Sequence, residues 1–165
     1  MGLGRIAAAV LLALAVSGCA SSKFKRYEGP EVTSLLLYKS QRELMLLHGN
    51  QVLKSYKVGL GFQPVGDKEY EGDGRTPEGL YYIDRRNPNS TYHLSIGISY
   101  PNPDDVQVAR ALGRSPGGDI FLHGQAGQNR GRSADWTAGC IAVPDEDIED
   151  IYAMVRDGTP IYLMP

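Results

Sequence analysis

Gly139-Cys140-Ile141-Ala142-Val143-Pro144-Asp145-Glu146-Asp147-Ile148 is the stretch from which the fold is read. Its first half, Gly139 to Val143, is short and apolar, as a buried strand is. Pro144 then opens a helix, because proline needs no donor in a helix first turn and the carboxylates of Asp145, Glu146 and Asp147 meet the positive end of the dipole. Ile148, Ile151, Tyr152 and Val155 recur at helical spacing, and Gly158 stops the run. Pro160–Leu163 then predicts a closing strand.

Moving toward the N-terminus, Ile120-Phe121-Leu122 predicts a buried strand ending at His123. Asp104 and Asp105 start a short helix through Val106, Ala109 and Leu112, with Gly113 as its stop. Tyr92–Ser99 and Leu80–Ile83 read as strands. The Gly-rich polar run Gln63–Glu78 is a loop long enough to be functional or mobile. Ser34–Lys39, Glu43–Leu47 and Val52–Gly59 form an antiparallel meander, with His48-Gly49-Asn50-Gln51 as the second turn. Leu44 and Leu46 alternate with Met45 and Leu47, so that strand is expected to be covered on both faces. Strands dominate and never alternate regularly with long helices, which disfavours a parallel doubly wound sheet. The expected fold is a mainly β sandwich or barrel with two short helices.

The 165 residues carry 17 basic and 19 acidic side chains, a formal charge of −2, so no basic field exists to hold a nucleic-acid backbone. Two cysteines at these spacings make neither a disulfide scaffold nor a structural zinc site. Arg5 followed by the apolar run Ile6–Val16 is too short for a bilayer-spanning helix of roughly 20 residues. With Val16-Ser17-Gly18-Cys19 behind it, it resembles a bacterial lipoprotein signal. That resemblance implies a signal peptide over residues 1–18 and lipidation at Cys19; the alternative is a plain secretory signal cut near Ala20. Residues 19–31 then read as a polar tether and 32–165 as the domain. An exported, lipid-anchored protein follows, on the periplasmic face. Ala20 and Ser21 supply no retention aspartate, which favours the outer membrane over the inner.

With Cys19 acylated, Cys140 is the one thiol left in an oxidising compartment, and it serves either as a small buried hydrophobe or as a nucleophile. A free thiol of pKa about 8.5 needs a base, and His123 ends a neighbouring predicted strand. A carbonyl near Gly124 suits the other ring nitrogen. Gly139 would admit a substrate carbonyl toward the Cys140 amide as oxyanion donor. His48 reads as a solvated turn residue, and His93 as structural or cleft-lining. The acidic run Asp145–Asp150 lacks the glycine and alternating ligands of a calcium loop, and no metal is expected.

His123-Gly124, a polar loop and Thr137-Ala138-Gly139-Cys140-Ile141 together resemble the signature of the L,D-transpeptidase catalytic domain, the YkuD-like family. The resemblance runs from about Val32 to Pro165 and includes Gly74-Arg75-Thr76-Pro77-Glu78-Gly79. Ile98-Ser99-Tyr100-Pro101-Asn102 and Trp136-Thr137 point to the ErfK/YafK-like branch. It implies a β-sandwich, no cofactor, Cys140 as nucleophile, His123 as base and the Gly124 carbonyl as its orienting group. Gly139, Thr137, Trp136 and Arg75 are implied at the oxyanion or substrate positions, and Arg130 and Arg132 are further candidates to grip a stem carboxylate. The implied partners are peptidoglycan peptide stems and a murein-bound lipoprotein. Ala138 and Ala142 depart from the family's usual His before Gly-Cys and Asn or Arg after it. The acyl acceptor is therefore open between an amine, giving a transpeptidase, and water, giving a carboxypeptidase or amidase. A murein-binding lipoprotein with an inert thiol is the non-enzymatic alternative. A catalytic thiol paired with His123 is expected to alkylate quickly below pH 7.

Overall fold

The computed structural model describes residues 22–128 and 134–165, so the signal segment, Cys19, Arg130 and Arg132 lie outside the described residues. The elements are β1 (Ser34–Tyr38), β2 (Glu43–His48), β3 (Gln51–Lys57), β4 (Gly79–Asn87), β5 (Ser95–Ile98), α1 (Pro103–Ala111), β6 (Phe121–His123), β7 (Ile141–Ala142), α2 (Asp145–Met154) and β8 (Pro160–Met164). The eight strands form one sheet of order β3-β2-β1-β8-β4-β5-β6-β7. As expected, β1 to β3 are an antiparallel meander. The closing strand β8 inserts parallel to β1 and antiparallel to β4.

Strand β4 decides the shape. Its first residues, Gly79 to Tyr82, pair with β8, whereas Ile83 to Asn87 pair with β5 after a register irregularity between Ile83 and Arg85. Such an irregularity bends a strand and increases its twist, so one sheet turns from the meander half into the half that carries β6 and β7. The curl closes beyond β3, where the Gly59 and Ala142 amides each donate to the other's carbonyl at 2.8 Å and Gly61 bridges Thr137. Glycine is required at 59, since a Cβ there would stand 2.0 Å from the Ala134 carbonyl oxygen.

Leu35, Leu37, Leu44 and Leu46 from the meander meet Ile96, Ile98, Leu122 and Ile141 from the other half, with Ile148 and Ile151 of α2 in the same core. Burying each such side chain contributes about 1.5–3 kcal/mol. The mainly β character and the two helices agree with the expectation. The outer face of β2 does not: Met45 and Leu47 are half-buried, beside exposed Tyr162, Leu80 and Tyr82 on β8 and β4, because no layer lies over them among the described residues.

Two segments are more ordered than their composition suggests. The loop 63–78 is fastened by buried cations. The Lys39 ammonium donates to Gly66 O, Thr76 O and Glu78 Oε1 at 2.6–2.8 Å, and Lys68 pairs with Asp73 at 2.8 Å, both side chains only 3% exposed. Residues 22–31, read as a tether, are not free over their first half: Lys25 binds Asp150 Oδ1 at 2.8 Å and Phe24 packs against Tyr152 on α2. Charge complementarity with the acidic face of α2 holds this segment to the domain.

Candidate active site

His123 ends β6 and Cys140 directly precedes β7, and the parallel register Leu122↔Ile141 and His123↔Ala142 sets both on adjacent strands. That register places Cys140 beside Phe121, two positions from His123 and therefore on the same face of the sheet. The Phe121 amide donates to Cys140 Sγ at 3.4 Å, and the thiol reaches the Asp119 carbonyl at 3.5 Å. Asp119 has φ +54°, an unusual conformation for a non-glycine residue. The imidazole Nδ1 bonds the Gly124 carbonyl at 2.6 Å. A carbonyl only accepts, so Nδ1 carries the proton and Nε2 presents a lone pair. Among the described residues no hydrogen bond joins His123 to the thiol.

Cys140 stands where two cavities meet. One, of about 230 Å³, is lined by His123, Tyr92, Phe121, Thr91 and Ser90. The other, of about 320 Å³, is bounded by Lys68, Glu71, Gly117, Asp119 and Ala138. Burial lowers the imidazole pKa below its ordinary value, only partly offset by the bond to Gly124. Burial likewise pushes the Cys140 thiol up, against the opposing bond from the Phe121 amide. Both effects favour a neutral thiol beside a neutral imidazole. A neutral resting pair predicts slow alkylation below pH 7, where the sequence reading expects it to be fast.

The turn before the thiol is built from Thr137 and Gly139. Thr137 is buried, its hydroxyl donating to the Cys140 carbonyl at 2.7 Å and accepting from the Gly139 amide at 3.2 Å. Its side chain thus braces the turn instead of facing a ligand. Gly139 adopts φ +138°, and a Cβ there would lie 2.7 Å from the Arg75 carbonyl oxygen. In the structure the close approach at Gly139 is that of the Gly74-Arg75 segment. The Arg75 guanidinium binds Glu69 at 3.0 Å and the Asp67 carbonyl at 3.2 Å, and it lines neither cavity at Cys140. Trp136 stands edge-on to His123 at 5.9 Å, as a wall behind the imidazole. His93 is bound to Glu149 at 2.8 Å and does not line the cavity, while His48 is exposed and bonds Glu31 O.

Four contributors were not singled out in the sequence. Tyr92 stacks on His123; an aromatic ahead of a strand carries no local signal for that role. Asp145 accepts from the Gln125 and Ala126 amides at 2.6 and 2.9 Å, pinning the chain just after Gly124. Its place in a helix first turn was legible, but its second use was not. Lys68 and Asp119 reach the second cavity from distant loops. Among the described residues no group of three or more His, Cys, Asp or Glu is placed to hold a metal ion, and no helix is long and apolar enough to cross a membrane.

The class this fold defines is that of the L,D-transpeptidases. An L,D-transpeptidase from Mycobacterium smegmatis matches it with a TM-score of 0.56 at 13% identity, over 81% of this chain and 59% of that one. The helical cell shape determining protein Pgp2 from Campylobacter jejuni matches with a TM-score of 0.60 at 25% identity, over 82% of this chain and 51% of that one. The chain belongs to the YkuD family, the L,D-transpeptidase catalytic domain, whose family model matches residues 33–163. It is also similar to YafK of Escherichia coli (strain K12), 28% identical over 141 residues, covering 82% of this chain and 52% of YafK. The chain thus spans about half the length of the curated relatives it matches.

Proposed function

We propose that the protein is an exported, lipid-anchored cysteine acyltransferase acting on the peptide stems of peptidoglycan, with Cys140 as nucleophile. The observation that carries this reading is the 2.6 Å bond from His123 Nδ1 to the Gly124 carbonyl, which leaves Nε2 as the basic nitrogen of a ring that lines the same cavity as Cys140. As Sγ attacks the carbonyl at the L-centre of a stem diamino acid, Nε2 takes the thiol proton, and the Cys140 amide donates to the oxyanion. Collapse breaks the amide bond, the imidazolium returns the proton to the leaving amine, and a thioester remains. An acceptor amine entering from the second cavity then attacks the thioester, its proton passing to the imidazole as the thiol is restored. The result is a cross-link or a joined lipoprotein, in keeping with the cell-shape role named for Pgp2.

Hydrolysis is the second reading. Ala138, on the wall of the second cavity, offers no polar hold on an acceptor, and Ala142, buried in β7, offers none either. Water in the acceptor's place gives a shortened stem, or releases murein-bound lipoprotein. Mass spectrometry of tetrapeptide muropeptides and of lipoprotein-bearing murein, incubated with the protein and with Cys140→Ala, tests both. A dimer supports transfer, and a shortened stem or freed peptide supports hydrolysis. No cysteine-dependent mass change on any of these substrates overturns both in favour of a non-catalytic murein-binding lipoprotein.

A further inference from the structure

We infer that Lys23 is a positioning residue for the cleft, stapling the loop 88–93 that holds Tyr92 against the His123 imidazole. The inference rests on the reading of Cys140 and His123 given above. The Lys23 ammonium donates to the Pro88 carbonyl at 2.6 Å and to the His93 carbonyl at 3.2 Å, the two ends of one six-residue loop. Between those ends lie Ser90, Thr91 and Tyr92, which line the cavity at Cys140. Charge-assisted bonds to two carbonyls are the strong kind, and they draw the loop ends toward one point.

Besides Lys23, the loop is tied by His93 to Glu149 at 2.8 Å, by the Asn89 amide to Asn87 Oδ1 at 2.9 Å and by the Leu94 amide to the Tyr92 carbonyl at 3.1 Å. Inside it the Tyr92 amide donates to Ser90 Oγ at 3.1 Å, and from outside Gln128 reaches Thr91 O at 3.1 Å. Lys23 is delivered by a segment that is held on its own account, since the adjoining residues dock on α2 through the Lys25–Asp150 bond and the Phe24–Tyr152 contact. The N-terminal segment is thereby tied to the loop that forms the cleft wall. Its attachment to α2 is transmitted through Pro88 and His93 to the ring that shields the imidazole.

The test uses the full-length chain with Lys23→Ala and Lys23→Arg, and Lys54→Ala as a control whose exposed pair with Asp150 lies outside the cleft. The chain has 1 tryptophan, Trp136, which packs against both Tyr92 and His123, so its emission reports this cluster. The other ionisable groups on the cavity are the Tyr92 phenol, the Cys140 thiol and the Asp119 carboxylate. In Lys23→Ala the emission midpoint for His123 is expected to rise toward about 6.5 as water reaches the ring. Cysteine-dependent turnover of a tetrapeptide muropeptide should fall about tenfold in kcat with a smaller change in KM. Lys23→Arg should restore both, and Lys54→Ala should match the parent. A Lys23→Ala protein with the parent's midpoint and kcat, altered only in melting temperature, overturns the inference. If the parent's own turnover does not depend on Cys140, the functional reading falls instead, and the emission midpoint alone decides the staple.

Discussion

Tyr92 lies nearly flat on the imidazole of His123, with ring centroids 4.4 Å apart and an interplanar angle of 26°. Trp136 meets the same imidazole edge-on, so two aromatic rings exclude water from its sides. The neutral character of His123 is thus a product of packing, and it suits a base that must accept a proton near neutral pH.

Removing the Tyr92 ring should expose the imidazole. Tyr92→Ala is expected to cost about 2 kcal/mol of stability and to move the His123 titration upward, with reduced turnover below pH 7. Tyr92→Phe keeps the stack and should behave as the parent. Histidine NMR titration of the three proteins checks this; an unchanged midpoint in Tyr92→Ala would remove the shielding role.

Reactivity of Cys140 should follow the neutral pair. Because burial raises the thiol and lowers the imidazole, the thiolate is scarce at pH 6. Iodoacetamide labelling should therefore be slow there and accelerate steadily into the alkaline range. His123→Ala should lower turnover by about 10²–10⁴-fold. Rapid labelling that stays level below pH 7 would instead indicate a resting ion pair.

Acid should loosen the loop 67–75 only below about pH 4. Burial alone would raise the Asp73 carboxyl, but bonds from Lys68 and from the Arg75, Glu69 and Tyr70 amides outweigh it and hold its pKa below the ordinary value. A depressed folded-state pKa contributes stability that is present above about pH 4 and lost as pH falls through the folded value. Asp73→Asn leaves Lys68 buried without its partner and should cost about 3 kcal/mol at pH 7, with a flatter stability profile between pH 4 and 2. Denaturant titrations across that range decide it.

Gly139→Ala should be poorly tolerated. The new methyl would meet the Arg75 carbonyl oxygen at 2.7 Å in a backbone with φ +138°. A loss of about 3 kcal/mol and a melting temperature lower by on the order of 10 °C follow. A variant that melts with the parent would show that the turn can relax.

Most of the elements were readable because their signals are local. Pro144 and three carboxylates announced α2, and Asp104 and Asp105 announced α1, where Asn102 and Asp105 close a reciprocal cap. The apolar run Ser34–Lys39 announced β1, while its alternate burial, with Leu35 and Leu37 inward, came from the structure. Boundaries suffered where a strand outran its apolar run: β4 continues to Asn87 because β5 offers it a partner. Tyr92–Leu94, expected within a strand, instead form a turn with His93 at φ +77°.

Composition, periodicity and the pairing of His123-Gly124 with Gly139-Cys140 were sufficient for a mainly β domain with a cysteine and a histidine at its centre. Those features depend on residues close in the chain or on a motif whose chemistry is carried by residue type. Only the tertiary structure decided that Thr137 turns inward to brace the Cys140 turn, that Arg75 pairs with Glu69 away from the thiol, and that Tyr92 covers the imidazole. It likewise decided that Lys68 and Asp119 border the thiol and that Lys23 reaches across 65 and 70 residues to the loop 88–93. Such contacts arise when a sheet bends at Ile83 and closes at Gly59. The physical reason is that burial and hydrogen bonding between distant segments reward a particular curl of the whole sheet, which no local pattern encodes.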